Sequence, residues 1–139
     1  MNELSIKSKP ENVARACYEV RTAAIKAGMP EKALMELELA VSEAVTNSIE
    51  HAYEWDEDQD ILLKIHASNE QLTIDILDQG TPIPANLFND LDDNFEEPAN
   101  QTTRLEESGR GLKIIFALVD DISIRHADGW NSLKLMKKF

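Results

Sequence analysis

Two short segments of the sequence combine a polar side chain with glycine. In Asp78-Gln-Gly80, the carboxylate can accept a hydrogen bond from an exocyclic amine such as that of adenine, and Gly80 lets the backbone approach a flat ring because it lacks a Cβ atom. In Ser108-Gly-Arg-Gly111, glycines precede a predicted helix, whose free amides and dipole attract phosphate oxygens. Each segment also has a purely structural interpretation, because Asp-x-Gly is a common turn and Ser108 can cap a helix after a hinge.

A third polar group falls on a predicted helix. Glu43, Asn47 and His51 are spaced four residues apart, so they form one stripe of that helix, and the opposite stripe is apolar. An asparagine lowers helix propensity relative to alanine, and Asn47 stands among small apolar residues. Taken alone, the stripe is still explained more simply as a solvated helix face.

Composition restricts the possible partners. The 139 residues are 42% hydrophobic and 29% charged, which is typical of a single folded domain. The formal charge of −12 disfavours direct binding to nucleic acid or to an anionic membrane surface. No apolar run is long enough to cross a bilayer or to direct export, so we expect a cytoplasmic protein. Cys17 is the single cysteine, and we expect it to be a small buried residue of a helix.

Periodicity predicts how these segments are positioned. The pattern indicates a short strand at 2–8, helices at 11–27 and 31–53, and strands at 61–67 and 72–77, in that order. A polar, acidic segment at about 85–107 resembles a functional lid, and a buried helix follows from Leu112. Two final strands are joined at Asp128-Gly129. This order predicts an α+β two-layer sandwich, with helices on one face of a mixed, mainly antiparallel sheet, as one domain over residues 1–139.

The three segments in this order resemble the N box and the two glycine boxes of the GHKL ATPase superfamily. SEAVTNSIEHAY, DQGTPI and SGRGL are more closely similar to the RsbW/SpoIIAB-type anti-sigma factor serine kinases. The resemblance extends from about Ile6 to Phe139 and implies the Bergerat fold, with ATP held between the helical layer and the lid. It implies that Asn47 binds Mg²⁺ through its amide oxygen and that Glu43 is the general base for a serine hydroxyl.

The resemblance also implies roles at the two ends of ATP. Asp78 matches the carboxylate that reads adenine, and Gly80 its backbone partner. The phosphates are expected to contact the second glycine box and the residues beside it, namely Ser108, Gly109, Arg110, Gly111 and the amide of Leu112. Ser132 matches a hydroxyl near adenine that is usually a threonine in the family. The chain departs from its relatives at Glu107, where a basic residue is common, and at Trp130-Asn131, where Gly-Thr is common.

The partners are implied by the resemblance alone. Such kinases hold a sigma factor and phosphorylate a serine of a STAS-type anti-anti-sigma protein, and they commonly form homodimers. Arg15 falls where relatives carry a partner-contacting arginine, although an ordinary exposed arginine is an equal alternative. Two other hypotheses remain open at this point: a non-catalytic regulator whose partner binding depends on nucleotide, and an acidic adaptor that binds no nucleotide.

Overall fold

The computed structural model describes residues 2–84 and 104–139, and for residues 104–110 it describes the backbone alone. The segment interpreted above as a lid therefore lies outside the described residues, apart from 104–107. In chain order the elements are β1 (Asn2–Lys7), a 3₁₀ turn (Pro10–Asn12), α1 (Val13–Ala27), α2 (Glu31–Asn47), a π-helical turn (Ser48–Ala52), β2 (Asp60–Ala67), β3 (Gln71–Asp78), α3 (Arg104–Leu118), β4 (Asp121–Ala127) and β5 (Trp130–Lys138).

The five strands form one sheet in the order β1-β2-β3-β5-β4. Every pairing between these described strands is antiparallel, so the sheet contains no parallel pair within this part of the chain. The predicted α+β class is confirmed, and the sheet is more regular than the mixed one expected. The register places Asp78, the last residue of β3, directly opposite Asn131 near the start of β5.

The core lies between the helices and one face of the sheet. Alternate residues of the central strands are buried, as the period of two in their sequences predicts. Ala16, Val20 and Ala24 form the buried stripe of α1, and their small size suits close packing. The largest buried side chains of the sheet are Ile61, Leu63, Leu72, Ile74, Ile76 and Leu135.

Lys137 connects three elements at one end of this core. Its side chain is buried, and its ammonium group donates to the carbonyl oxygen of Leu118 at 2.6 Å and lies 3.3 Å from the Glu36 carboxylate. A cation at the C-terminus of a helix interacts favourably with the helix dipole. Lys137 of β5 therefore stabilises the end of α3 against α2.

The second helix differs from the single long helix predicted over 31–53. Its α-helical part ends at Asn47, and residues Ser48–Ala52 form a wider turn in which the Tyr53 amide donates to the Ser48 carbonyl at 3.0 Å. Such π-helical turns are rare and occur frequently at functional sites. The apolar period continues through this region, so the sequence pattern does not distinguish the two kinds of turn.

The third helix begins earlier than predicted. We expected it to start after Gly111, but α3 starts at Arg104 and includes the whole Ser108–Gly111 segment. The preceding residues Arg-Leu-Glu-Glu are good helix formers, and this outweighs the cost of about 1 kcal/mol for each glycine. None of the helices that the structure describes is both long enough and apolar enough to cross a membrane.

Candidate functional site

A cleft of about 260 Å³ opens between the helical layer and the sheet. Its size is just below the usual range for small-molecule sites. One wall comes from the end of α2 and the π-helical turn, and the other from β3, the loop after it, and the last two strands. The polar residues along it are Asn47, Ser48, His51, Glu54, Asp78, Thr81, Asn131 and Ser132, and its apolar residues include Ile76, Ile83, Ile124 and Leu133.

Asp78 is buried at the sheet side of this cleft and is held by three donors. Ser48 Oγ donates to its Oδ2 at 2.9 Å, and the Gly80 amide donates to Oδ1 at 3.1 Å. Asn131 Nδ2 donates to the same Oδ1 at 2.8 Å. A buried carboxylate needs such donors to offset the loss of water. The carboxylate is therefore fixed in orientation, as a binding group must be.

Gly80 is required by a close backbone approach. A Cβ atom at this position would lie 2.2 Å from the Ala52 carbonyl oxygen, and the next amide, that of Thr81, donates to that oxygen at 2.9 Å. No side chain fits at such a distance. The glycine predicted to face a ligand thus also joins the loop after β3 to the π-helical turn.

Asn47 lies on the helical wall of the cleft and is 9% exposed. Its Nδ2 atom is buried and has no hydrogen-bond partner among the described residues. An unpaired buried amide costs about 1–3 kcal/mol, so a structure retains one where it has another use. Gly111 of α3 packs directly against this amide, because a Cβ atom there would lie 3.0 Å from Asn47 Oδ1.

The other members of the polar stripe are divided. His51 lines the cleft, as does Glu54 two residues beyond the π-helical turn. Glu43 is partly buried one turn before Asn47, and it is not among the described residues that form the cleft wall. The predicted alignment of Glu43 and Asn47 on one helical stripe agrees with α2, which includes both residues.

The predicted phosphate-binding segment lies within α3. The amides of residues inside an α-helix are bonded to carbonyls four residues earlier, so residues 108–112 do not provide the free amides of a helix start. The predicted helix start at this segment was wrong, and the contact of these residues with phosphate stays a prediction. Gly111 instead serves to bring α3 close to Asn47, and Leu112 is fully buried. The side chains of Ser108 and Arg110 are outside the described part.

At the sheet side of the cleft, the structure places Asn131 rather than Ser132 beside Asp78. Ser132 borders the cleft, but its hydroxyl donates to Asp75, whereas Asn131 donates to Asp78. Successive residues of a strand point to opposite faces, so a match displaced by one residue exchanges the two sides of the sheet. Sequence reasoning missed Asn131 and Ser48 as partners of Asp78. The strand register alone identifies Asn131.

Tyr53 joins the site to the start of β2. Its hydroxyl donates to the Asp60 carbonyl and accepts from the Gln79 amide, both at 2.6 Å. Burial raises the pKa of the Tyr53 hydroxyl above its usual value, because ionisation would place a charge in a poorly solvated position. The uncharged Tyr53 hydroxyl thus fixes the Gln79 amide. The loop after Asp78 is therefore held at Gln79 and, through the bond from Thr81 to Ala52, at its next residues.

Comparisons with known proteins agree with this architecture. Residues 6–137 match the Histidine kinase-like ATPase domain family. The chain is 30% identical over 131 residues to the "Serine-protein kinase RsbW" of Listeria innocua, which covers 91% of this chain and 80% of that protein. It is 32% identical over 143 residues to the "Anti-sigma F factor" of Clostridium beijerinckii, covering 99% of this chain and 94% of that one.

A solved structure shares the fold. The crystal structure of the RsbU and RsbW domains of a Mycobacterium tuberculosis protein superimposes with a TM-score of 0.66 at 17% identity, over 99% of this chain and 32% of that longer one. The chain belongs to the histidine kinase-like ATPase domain family, in its branch of RsbW and anti-sigma F serine kinases. It is an ATP-dependent protein serine kinase, and the resemblance inferred from the three motifs is confirmed.

Proposed function

We propose that this chain binds ATP and Mg²⁺ in the cleft between Asn47 and Asp78. On this proposal it phosphorylates a serine of a STAS-type anti-anti-sigma partner and, in another state, sequesters a sigma factor. Both activities belong in the cytoplasm, where transcription occurs. The observation that carries the proposal is that two buried groups face the same cleft: an oriented carboxylate, and an amide whose nitrogen has no hydrogen-bond partner among the described residues.

The residues present fit ATP and its metal ion. Mg²⁺ prefers oxygen ligands and takes most of them from phosphates and water, so a single amide oxygen such as Asn47 Oδ1 is a suitable protein ligand. A carboxylate that already accepts three hydrogen bonds retains free lone pairs for one more donor, and adenine presents such a donor in its exocyclic amine. The apolar lining, including Ile76 and Leu133, suits the faces of a purine ring.

In the proposed reaction, the chain positions two substrates and moves one proton. Asp78 and the Gly80 backbone hold the base, and Asn47 holds the metal, which neutralises charge on the phosphates when bound. Glu43 accepts the proton of the partner's serine hydroxyl as that oxygen attacks the γ-phosphorus and the bond to the β-phosphate oxygen breaks. The residues proposed to lie on the phosphate side of the nucleotide are Ser108, Gly109, Arg110, Gly111 and Leu112. Ser132 is proposed to lie near the base.

One observation favours an additional role for the bound nucleotide. Because Glu43 does not form part of the described cleft wall, nucleotide binding there can regulate partner affinity independently of phosphate transfer. Regulation of this kind requires Asn47 and Asp78 but not Glu43. The two functions therefore differ in the effect of one substitution.

Transfer of radioactive phosphate from ATP to a purified STAS partner distinguishes these functions. We expect Glu43→Ala to reduce transfer by about 10²-fold or more, since general bases contribute on that scale, while calorimetry shows unchanged ATP affinity. The matched control is Glu31→Ala, which removes an exposed glutamate from the same helix and is expected to transfer phosphate normally. Phosphate transfer that survives in Glu43→Ala would refute the role of Glu43 as the general base. Absence of ATP binding by the wild-type protein would refute the whole proposal.

The partner surface is proposed to include α1. Arg15 is exposed on this helix, and nearby Tyr18 is 67% exposed although it is aromatic. We expect Arg15→Ala to weaken capture of a sigma factor about tenfold, since arginines are frequent hot spots of interfaces. Surface plasmon resonance measures the affinity, and analytical ultracentrifugation tests the proposed homodimer. Unchanged capture would leave Arg15 as an ordinary surface residue.

A further inference from the structure

Asn131 occupies a central position in the hydrogen-bond network at the base end of the cleft. Its Nδ2 atom donates to Asp78 Oδ1 and to the Gly80 carbonyl oxygen, both at 2.8 Å. Its Oδ1 atom lies 2.8 Å from His126 Nδ1 on the neighbouring strand. One side chain thus contacts the carboxylate and the glycine backbone of the Asp78–Gly80 segment together with a histidine of β4.

The neighbours determine how the Asn131 amide is oriented. Asp78 Oδ1 and the Gly80 carbonyl are both acceptors, so the atom that contacts them must be the NH₂ group, which has two hydrogens to donate. The other amide atom is then the oxygen, which can only accept. His126 must therefore carry a hydrogen on Nδ1. If the amide were reversed, an oxygen would face two acceptors, so the observed arrangement is the one the network permits.

We propose that Asn131 is a positioning residue that determines base specificity in this kinase, and that His126 fixes its amide. This inference rests on the function proposed above. Asn131 and the Gly80 amide both donate to Oδ1 of Asp78, whereas Oδ2 receives only Ser48 Oγ from the residues that the structure describes. Oδ2 thereby retains a lone pair that can accept a further hydrogen bond. An acceptor suits the exocyclic amine of adenine and disfavours the carbonyl oxygen of guanine at the same position.

Nucleotide binding to a set of purified variants tests the proposal. Calorimetry with ADP and GDP in Mg²⁺ gives affinities without turnover. We expect Asn131→Ala to weaken ADP binding about tenfold and to narrow the preference for ADP over GDP, because Asp78 loses one of the three donors that orient it. Asn131→Asp should be more severe, because two carboxylates then face each other. His126→Ala, at an exposed position, should weaken ADP binding about two- to threefold.

The matched control is Asn12→Ala. Asn12 also donates its amide to a backbone carbonyl, that of Lys7 at 2.9 Å, but it is not among the residues that line the cleft. We expect wild-type affinity and specificity for this variant. Circular dichroism melting shows whether each variant is folded. A folded Asn131→Ala protein with wild-type ADP affinity and the wild-type ADP-to-GDP ratio would overturn the proposal, as would an equal loss in Asn12→Ala.

A nucleotide-free measurement tests the geometry separately. Nitrogen-15 NMR of the His126 ring should show a proton on Nδ1 that is lost or exchanges faster in Asn131→Ala, and the Gly80 amide should exchange faster in the same variant. An Nδ1 without a proton in neutral His126 would refute the orientation of the amide. If Asp78→Asn abolishes ADP binding but the Asn131 variants bind normally, this inference fails while the proposed function stands. If the wild-type protein binds no nucleotide, both fail.

Discussion

The contact between α3 and α2 allows a substitution whose effects on stability and on ligand binding differ. Gly111 lies inside α3, where alanine is preferred to glycine by about 1 kcal/mol. A Cβ atom at this position would be 3.0 Å from Asn47 Oδ1 and 3.2 Å from Nδ2, whereas 3.4–4 Å is ordinary contact. Gly111→Ala therefore stabilises the helix and at the same time displaces the Asn47 amide.

The size of each effect follows from this geometry. Asn47 must retreat by about 0.4 Å, and because it borders the cleft it has space to do so, which keeps the steric cost near the lower end of the 1–3 kcal/mol that overpacking causes. We expect the free energy of unfolding to remain within about 1 kcal/mol of the wild-type value. Disturbing the support of a metal ligand costs about 10- to 100-fold in metal affinity, so Mg²⁺-dependent ATP binding should weaken by that factor.

Calorimetry with ATP in Mg²⁺ and in EDTA is the appropriate assay, combined with urea unfolding of the same samples. The loss should appear only in the presence of Mg²⁺. Ile114→Ala is the matched control, since it introduces alanine at an exposed position of the same helix, and it should bind Mg-ATP normally. Wild-type Mg-ATP affinity in Gly111→Ala would refute the assignment of Asn47 as the metal ligand. A loss of equal size in EDTA would refute it as well.

Four further substitutions test the packing described above by urea unfolding. Gly80→Ala should lower the free energy of unfolding by about 2–4 kcal/mol through overlap and a lost hydrogen bond, whereas Gly129→Ala, in open space at a φ of 81°, should cost about 1–2 kcal/mol. Tyr53→Phe should lower the free energy of unfolding by about 1–3 kcal/mol, because it removes the hydroxyl that bonds Asp60 and Gln79. Because burial raises the pKa of Tyr53 in the folded state, wild-type stability should be complete below pH 10 and fall as the pH rises further, and Tyr53→Phe should reduce this fall. Lys137→Met should lower the free energy of unfolding by about 1–2 kcal/mol, because it removes the cation at the end of α3. An unchanged unfolding curve would contradict each of these expectations.

Much of the fold could be predicted because each element carries its own periodicity. The strands alternate with a period of two and α1 shows a helical stripe, so local sequence is sufficient for both. Asn47, Asp78 and Gly80 could be proposed as site residues for a similar reason, since each stands in a short motif whose chemistry is readable. The structure places Asn47 and Asp78 at one cleft, and Gly80 lies directly behind it, bonded to Asp78 and packed against Ala52.

The remaining features depend on contacts between distant segments. The π-helical turn is joined to the loop after β3 through the Ala52 carbonyl, and nothing in residues 48–52 encodes that partner. Asn131 was missed because the β3–β5 register decides which of two adjacent residues faces Asp78. The start of α3 was misplaced because glycine was interpreted as a helix boundary, whereas Gly111 is needed for its close approach to Asn47.

The strand order has a consequence for synthesis of the protein. Strand β5 comes after every other strand in the chain, yet it lies inside the sheet between β3 and β4 and supplies Asn131 to Asp78. Ribosomes build chains from the N-terminus, so β3 leaves the ribosome before β5. The edge of β3 that pairs with β5 therefore stays unpaired until β5 has been synthesised. A translation product interrupted before Trp130 would lack the base end of the cleft. Its unpaired β3 edge would expose free backbone amides and carbonyls, which can pair with other nascent chains and lead to aggregation.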